Sequence, residues 1–447
     1  MKFLKLKKEF MTYWPREVLI FKDIFEELRP KNFDFALDEL HLESFDRVQL
    51  IGIGKASPFM VSELYNKLKD QGHGERLKRP MVITKYGHGF ANDYVECLES
   101  GHPLCDKNSF LAGEKLKRKV MELENDELLI LCLSGGASAL VEVPIPLFSP
   151  EEICAIQCEM LLKGADVVRM NQMMEEFSQL KNGGLASLSG TSHIMTYAIS
   201  DVPVDDFAVI GSGPTSFTET SYEEIAKIAT HFLKGDLLEK VLGYLESRAR
   251  VNFLSMKRDL IDEKDISHLV LEDFNSLREK VLKLFKGRDS KIYFFEKPFN
   301  CSLDEGIERH LARMKDLAGK HGEAFNLFSG GELTFEVRGD GKGGRNTEFL
   351  LRMTKLIFED NVLAWPKDML ERLTMASVGT DGTDGVTSAA GAWINYEFYK
   401  RGRDMGLDIE DLLNNNDSHH YFDRLQSLIH TGPTETNVMD LRYISLS

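Results

Sequence analysis

The run VQLIGIGKAS, Val48 to Ser57, decides how the chain is read. Val48, Leu50, Ile51 and Ile53 make a short apolar strand, Gly54 breaks it, and SPFMVSELYNKL continues as a helix. The same order recurs. LLILCLSGG (128–136) leads into ASAL and, after VPIPLFSP, into EEICAIQCEMLLKG. MTYAISDV (195–202) leads toward AVIGSGPT. FNLFSGGEL (325–333) and TMASVGTDG (374–382) repeat the theme late. Continuous apolar strands alternating with helices predict an α/β fold built on a buried parallel sheet. Ligands of such sheets bind beyond the carboxyl ends of the strands, and each glycine-rich break is expected at such an end.

The totals narrow the function classes. A chain of 447 residues has room for two ordinary domains, and 43% hydrophobic with 28% charged residues is globular composition. A net charge of −16 argues against nucleic acid or an anionic membrane as partner. The six cysteines form no C-x-x-C pair, so reduced thiols in a cytoplasmic protein are expected. MKFLKLKKEF has no uninterrupted apolar stretch and does not read as a signal peptide, and no apolar run reaches membrane-span length. The charged stretch from about 235 to 325 is where a domain boundary is expected. The assignment is 1–240 for the first domain and 241–447 for the second.

The chemistry-bearing residues sit in the glycine-rich breaks. Lys55 follows the turn after Gly54, where a helix start can meet a phosphate. The segment is neither a Walker A loop nor G-x-G-x-x-G, whose third glycine is replaced here by Ser57. In GDGKGGRNTEF (339–349), Arg345 stands on a glycine-rich loop opening a helix, with the fork geometry that suits phosphate or carboxylate. GTDGTDG puts Asp381 and Asp384 after a strand. The spacing is not that of an EF-hand, and two carboxylates suffice for magnesium bound with a nucleotide. Asp201 ends another strand. His102, in GHP, and His419 and His420 lie near turns, where lone histidines are usually structural. A lysine, an arginine and three carboxylates at strand ends suit phosphoryl transfer.

The ordered strings IGIGKAS, ESGHP, LSGGASAL, KNGGLA, SDVPVDDFAVIGSGPT, FSGGE, GGRNTEF, GTDGTDG, NNDSHHYF and TGPTETNV resemble the glycerate 2-kinase family, whose C-terminal part carries the MOFRL name. The likeness runs from about 18 to about 440. It implies a Rossmann-like N-terminal domain, a smaller α/β C-terminal domain and an active-site cleft between them. It also implies ATP- and Mg2+-dependent phosphorylation of D-glycerate at its 2-hydroxyl. Assembly as a homo-oligomer is a separate expectation.

Lys55, Asp201 and Arg345 match the family's catalytic positions. Gly54, Ser134, Gly135, Gly136, Lys181, Ser212, Gly213, Ser329, Gly330 and Asn346 fall in motifs expected to bind substrate or nucleotide, and Asp381 and Asp384 are the expected metal ligands. In NQMMEEFSQLKNGG the family's arginine is Met174, its histidine Glu176 and one glycine Asn182. After GHP, Asp106 is kept and Lys107 replaces a glutamate. Two lost basic groups near a site for an anionic acid raise two rival expectations: a kinase for another small sugar acid, or a ligand-binding or regulatory protein without turnover. A hydroxypyruvate reductase is a third reading, opposed by the missing dinucleotide fingerprint.

Overall fold

A computed structural model describes residues 15, 18–90, 94–202, 206–286, 291–319 and 323–447. The stretch MKFLKLKKEF, weighed above as a signal peptide, lies outside these. The chain divides into two compact units, one of residues 33–271 and one that joins the described residues up to Asn32 with 272–447.

The first unit is built on β1 (Arg47–Ile53), β2 (Met81–Lys85), β3 (Glu96–Ser100), β4 (Glu127–Leu133), β5 (His193–Ile199) and β6 (Asp265–Glu272), in the order β3-β2-β1-β4-β5-β6. β1 to β5 run parallel. Every residue of β4 is buried, because helices cover both faces of a parallel sheet. Ile51, Ile53, Leu129, Leu131 and Leu133 share a core with Leu116, Leu140 and Leu185 from covering segments. The chain leaves β1 to one side for β2 and β3, then crosses to the other side for β4. That reversal between β1 and β4 opens a crevice at the strand ends.

β6 extends this unit past residue 240, the end assigned from sequence, because its strand completes the first sheet. The chain before Asn32 also departs from that assignment. Its helix Ile20–Glu27 packs on the helix Phe274–Phe285, Phe21 meets the edge of Tyr443 at 6.4 Å between ring centroids, and Arg29 pairs with Glu435 at 2.9 Å.

The second unit carries β7 (Ile292–Phe294), β8 (Phe299–Ser302), β9 (Phe325–Thr334), β10 (Leu373–Gly379), β11 (Gly391–Asn395), β12 (Leu428–Ile429) and β13 (Asp440–Leu446). The order is β12-β11-β10-β13-β9-β7, with β8 also pairing β9. Here the expectation of a parallel sheet fails. β9 to β13 pair antiparallel, and only β7 and β8 add parallel strands. β10 and β13 are buried along their whole length, and burial on both faces does not by itself fix the direction of pairing. All six cysteines are free thiols. Among the described residues no helix is long and apolar enough to cross a membrane.

Candidate active site

The sheet reversal in the first unit brings two of the predicted loops into contact. The Ala56 N–H donates to Ser134 Oγ at 3.0 Å, the Lys55 N–H to the Gly135 carbonyl at 3.1 Å, and the Ser134 N–H to the Ile53 carbonyl at 3.1 Å. Gly54 is required at the join. Its φ is +132°, and a Cβ there would lie 2.2 Å from Ser134 Oγ. Gly136 is required for a different reason. With φ +87°, a Cβ on it would fall 2.9 Å from His102 Cδ2 and 3.4 Å from Lys55 Cε. The Lys55 side chain and the His102 ring therefore flank Gly136. Asp201, half-buried, follows the end of β5, the strand next to β4. Strand spacing puts the β1 and β5 backbones about 10 Å apart, so Lys55 and Asp201 share one edge of the sheet.

Lys181, Ser212 and Gly213 form a second assembly in this unit. The Asn182 and Gly183 N–H groups donate to the Ser212 and Gly213 carbonyls at 2.8 and 2.6 Å. Ser212 Oγ bonds Asn171 Oδ1 at 3.1 Å and Ser138 Oγ at 2.8 Å. Asn182, standing for a family glycine, keeps the left-handed backbone (φ +48°) and ties its side chain to the Thr218 N–H and carbonyl. Lys181, expected to bind ligand, is buried and held by Glu142 at 2.5 Å, so its charge is spent inside the protein.

Beneath this turn lies the answer to the missing basic residues. Met174 packs in a core with Phe148, Phe177 and Tyr244. Glu176 accepts two 2.7 Å bonds from the Arg250 guanidinium, both partners buried. Lys257 donates to the Ser178 and Lys181 carbonyls at 2.9 Å each. Burial pushes the Glu175 carboxyl up to about 8 and the Lys257 amine down to about 7. The departures at 174 and 176 thus fall on packed positions, with Arg250 supplying the cation that Glu176 requires.

In the second unit the motif loops also converge. The Arg338 N–H bonds Asn416 Oδ1 at 2.6 Å, the Gly341 N–H bonds the Asn415 carbonyl at 3.0 Å, and the Lys342 N–H bonds Asp417 Oδ1 at 2.9 Å. The glycine-rich loop is therefore docked on the NNND turn. Arg345 opens the helix Arg345–Thr354, with Nε on Asp440 at 2.6 Å and Nη2 on Glu332 at 2.5 Å. Its Nη1 takes no protein partner among the described residues, and a third of the side chain is exposed. Burial opposes the guanidinium's charge, but Asp440, Glu332 and Asp381 outweigh it and push the pKa further up.

Asp384 was expected to hold a metal. It is buried and accepts four bonds, from Asn346 N–H and Nδ2 and from Thr347 N–H and Oγ. A carboxylate has about four lone-pair directions, so the helix start uses them all. Burial pushes this carboxyl up against the pull of those bonds. Asn346, expected to bind ligand, is consumed likewise, by Asp384, Asp440 at 3.0 Å and Ser377 at 2.6 Å. Ser329 and Gly330 were expected at a strand end and lie inside β9. Ser329 Oγ bonds His310 Nε2 at 2.7 Å, and a Cβ on Gly330 would meet the Phe274 ring. The two SGG strings are therefore not equivalent, because only the first ends its strand.

Asp381 remains at the loop after β10, mostly buried, with Oδ1 accepting from Thr383 N–H and Oγ at 2.9 and 3.0 Å. Among the described residues no three His, Cys, Asp or Glu side chains gather as a metal site. Magnesium carried by a nucleotide needs only one or two protein carboxylates, and Asp381 fits that lesser demand. His102, a lone histidine by its sequence, lies beside Gly136 and Lys55. Its GHP string was visible, but its neighbourhood with Gly136 and Lys55 needed the sheet order.

These features define a two-unit α/β protein with a Rossmann-ordered sheet and a polar cluster at its reversal. The description "domain of unknown function DUF4147" matches residues 20–246, and "MOFRL family" matches 325–440. A D-glycerate 2-kinase of Thermotoga maritima is 32% identical over 415 residues, 89% of this chain and 90% of that protein. A protein of Agrobacterium vitis described as a putative hydroxypyruvate reductase is 31% identical over 89% of this chain and 99% of its own length. The crystal structure of the Thermotoga maritima glycerate kinase matches at a TM-score of 0.72 and 27% identity, covering 96% of this chain and 98% of that one. This chain belongs to the glycerate 2-kinase family.

Proposed function

We propose that the protein transfers the γ-phosphoryl group of ATP to the 2-hydroxyl of D-glycerate, releasing 2-phosphoglycerate and ADP. The observation that carries the reading is the meeting of Lys55 with the Ser134–Gly136 loop at the β1/β4 reversal, with Asp201 at the neighbouring strand end. In this reaction the hydroxyl oxygen forms the new P–O bond as the bond to ADP breaks. Asp201 orients that hydroxyl and accepts its proton. Lys55 offsets charge on the moving group; within the second unit, Arg345 keeps the fork geometry that suits a phosphate. Mg2+ bound with the nucleotide would neutralise phosphate charge, and Asp381 is the carboxylate to meet it.

The rival of a binding protein without turnover rested on Met174 and Glu176. Both are accounted for by packing and by Arg250. The reductase reading gains the strand order, which is that of dinucleotide-binding sheets. The test is one assay with a control. Purified protein is given D-glycerate, ATP and Mg2+, and product is followed with enolase in the absence of phosphoglycerate mutase. Signal establishes phosphorylation at the 2-hydroxyl. No signal, with NADH or NADPH consumed on hydroxypyruvate instead, replaces the kinase by the reductase.

A further inference from the structure

The basic side chains around the KNGG turn are already committed. Lys181 is held by Glu142, Arg250 by Glu176, and Lys257 by two main-chain carbonyls. An anionic acceptor at the sheet reversal must therefore find its donors elsewhere, and the geometry there offers a specific one. His102 follows β3, in a turn braced by the Gly101 N–H bond to Asp106 Oδ1 (3.2 Å) and by Ser100 Oγ on the Leu140 carbonyl (2.8 Å). Asp106 is fixed in turn by the Tyr86 hydroxyl at 2.6 Å and by capping the helix Lys107–Met121. This bracing delivers the imidazole across the face of Gly136. A Cβ on Gly136 would lie 3.1 Å from His102 Nε2 and 3.4 Å from Lys55 Cε, so the two basic side chains approach each other over one missing methyl group.

We propose that His102 is a further residue of the acceptor site, donating a ring N–H to a carboxylate oxygen of the bound hydroxy acid, beside Lys55. Three features converge on this role. The ring is half-buried rather than solvated. It stands at the carboxyl edge of the sheet, where ligands of this fold bind. And Gly136 leaves the room that places it next to the lysine. An imidazole can donate to a carboxylate in both its neutral and its charged form, so the contact survives near neutral pH. The proposal deepens the kinase reading and rests on it for the identity of the acid.

The test separates the two. His102→Ala and His102→Gln are compared with the unaltered protein for turnover, and all three are titrated calorimetrically with D-glycerate, 2-phosphoglycerate and ATP. His102→Ala is expected to raise the KM for the acid about ten-fold, the scale of one hydrogen bond to a charged group, with the KM for ATP unchanged. His102→Gln, which keeps a side-chain N–H, should recover part of that loss. The same ranking is expected in the calorimetric Kd for glycerate. Unchanged acid affinity in both variants overturns the proposal, and so does a fall in kcat alone, which would place His102 on the moving phosphoryl group. If the unaltered protein binds the acid but does not phosphorylate it, the kinase reading fails. A weaker Kd in His102→Ala then still supports the acceptor contact, and an equal Kd refutes it.

Discussion

Replacing Arg250 by methionine tests whether the departures from the family pattern are structural. The change removes both 2.7 Å bonds to Glu176 and a third, of 2.9 Å, to the Thr220 carbonyl. Glu176 is 5% exposed, so its carboxylate would remain inside with no cation. Breaking a buried pair from one side costs about 3–5 kcal/mol. At a urea m-value of about 2–3 kcal/mol per M, the midpoint should fall by roughly 1–2.5 M. Far-UV circular dichroism during urea unfolding reads this directly. The double variant Arg250→Met with Glu176→Leu should recover most of the loss, because an apolar pair of similar volume needs no desolvation of charge. Closing the cycle with Glu176→Leu alone gives the coupling energy. A single-variant loss below about 1 kcal/mol, or a double variant equal to the sum of the singles, would show that the pair is not what holds Glu176.

Further outcomes follow from other sites. Lys55→Ala should lower kcat by about 10²–10³ with the circular dichroism spectrum unchanged, and near-normal turnover would remove Lys55 from the reaction. Asp384→Ala should cost about 3 kcal/mol in urea unfolding and leave the Mg2+ dependence of the surviving activity unaltered, whereas Asp381→Asn should raise the Mg2+ needed for half-maximal rate. The reverse pattern would restore Asp384 as a ligand. His310 is buried with Nδ1 donating to the Gly306 carbonyl at 2.6 Å and Nε2 accepting from Ser329, and burial holds its pKa down to about 3. Below about pH 6.5 the unfolded chain protonates this imidazole while the folded chain does not. Stability is therefore intact above that pH and falls toward pH 3, by up to about 1.4 kcal/mol per pH unit from this group. Unfolding titrations from pH 7 to 4 should lose that component of slope in His310→Phe, and an unchanged slope would contradict a neutral buried His310.

Much of the first unit was legible because its code is local. An apolar run of about seven residues ending in glycine and followed by a helical pattern is the signature of a parallel strand and its crossover, and β1 and β4 obey it, while β5 runs into Ser200 and Asp201 instead. The same locality places Lys55, Ser134 and Asp201 at strand ends without any knowledge of strand order. The second unit shows where local signals stop. β10 and β13 are as fully buried as β4, and whether a buried strand pairs parallel or antiparallel depends on partners far along the chain. The fate of a polar side chain is decided the same way. Asp381 and Asp384 read alike in TDGTDG, but only Asp384 meets the start of the helix Arg345–Thr354, which turns it from a candidate ligand into a cap. Glu176 reads as a lost histidine until Arg250, 74 residues later, lies against it. Sequence alone determined the strands, the turns and the residue types available for chemistry. Tertiary structure decided which charges cancel one another inside and that Lys55 and His102 meet over Gly136, because burial and pairing are properties of neighbours in space.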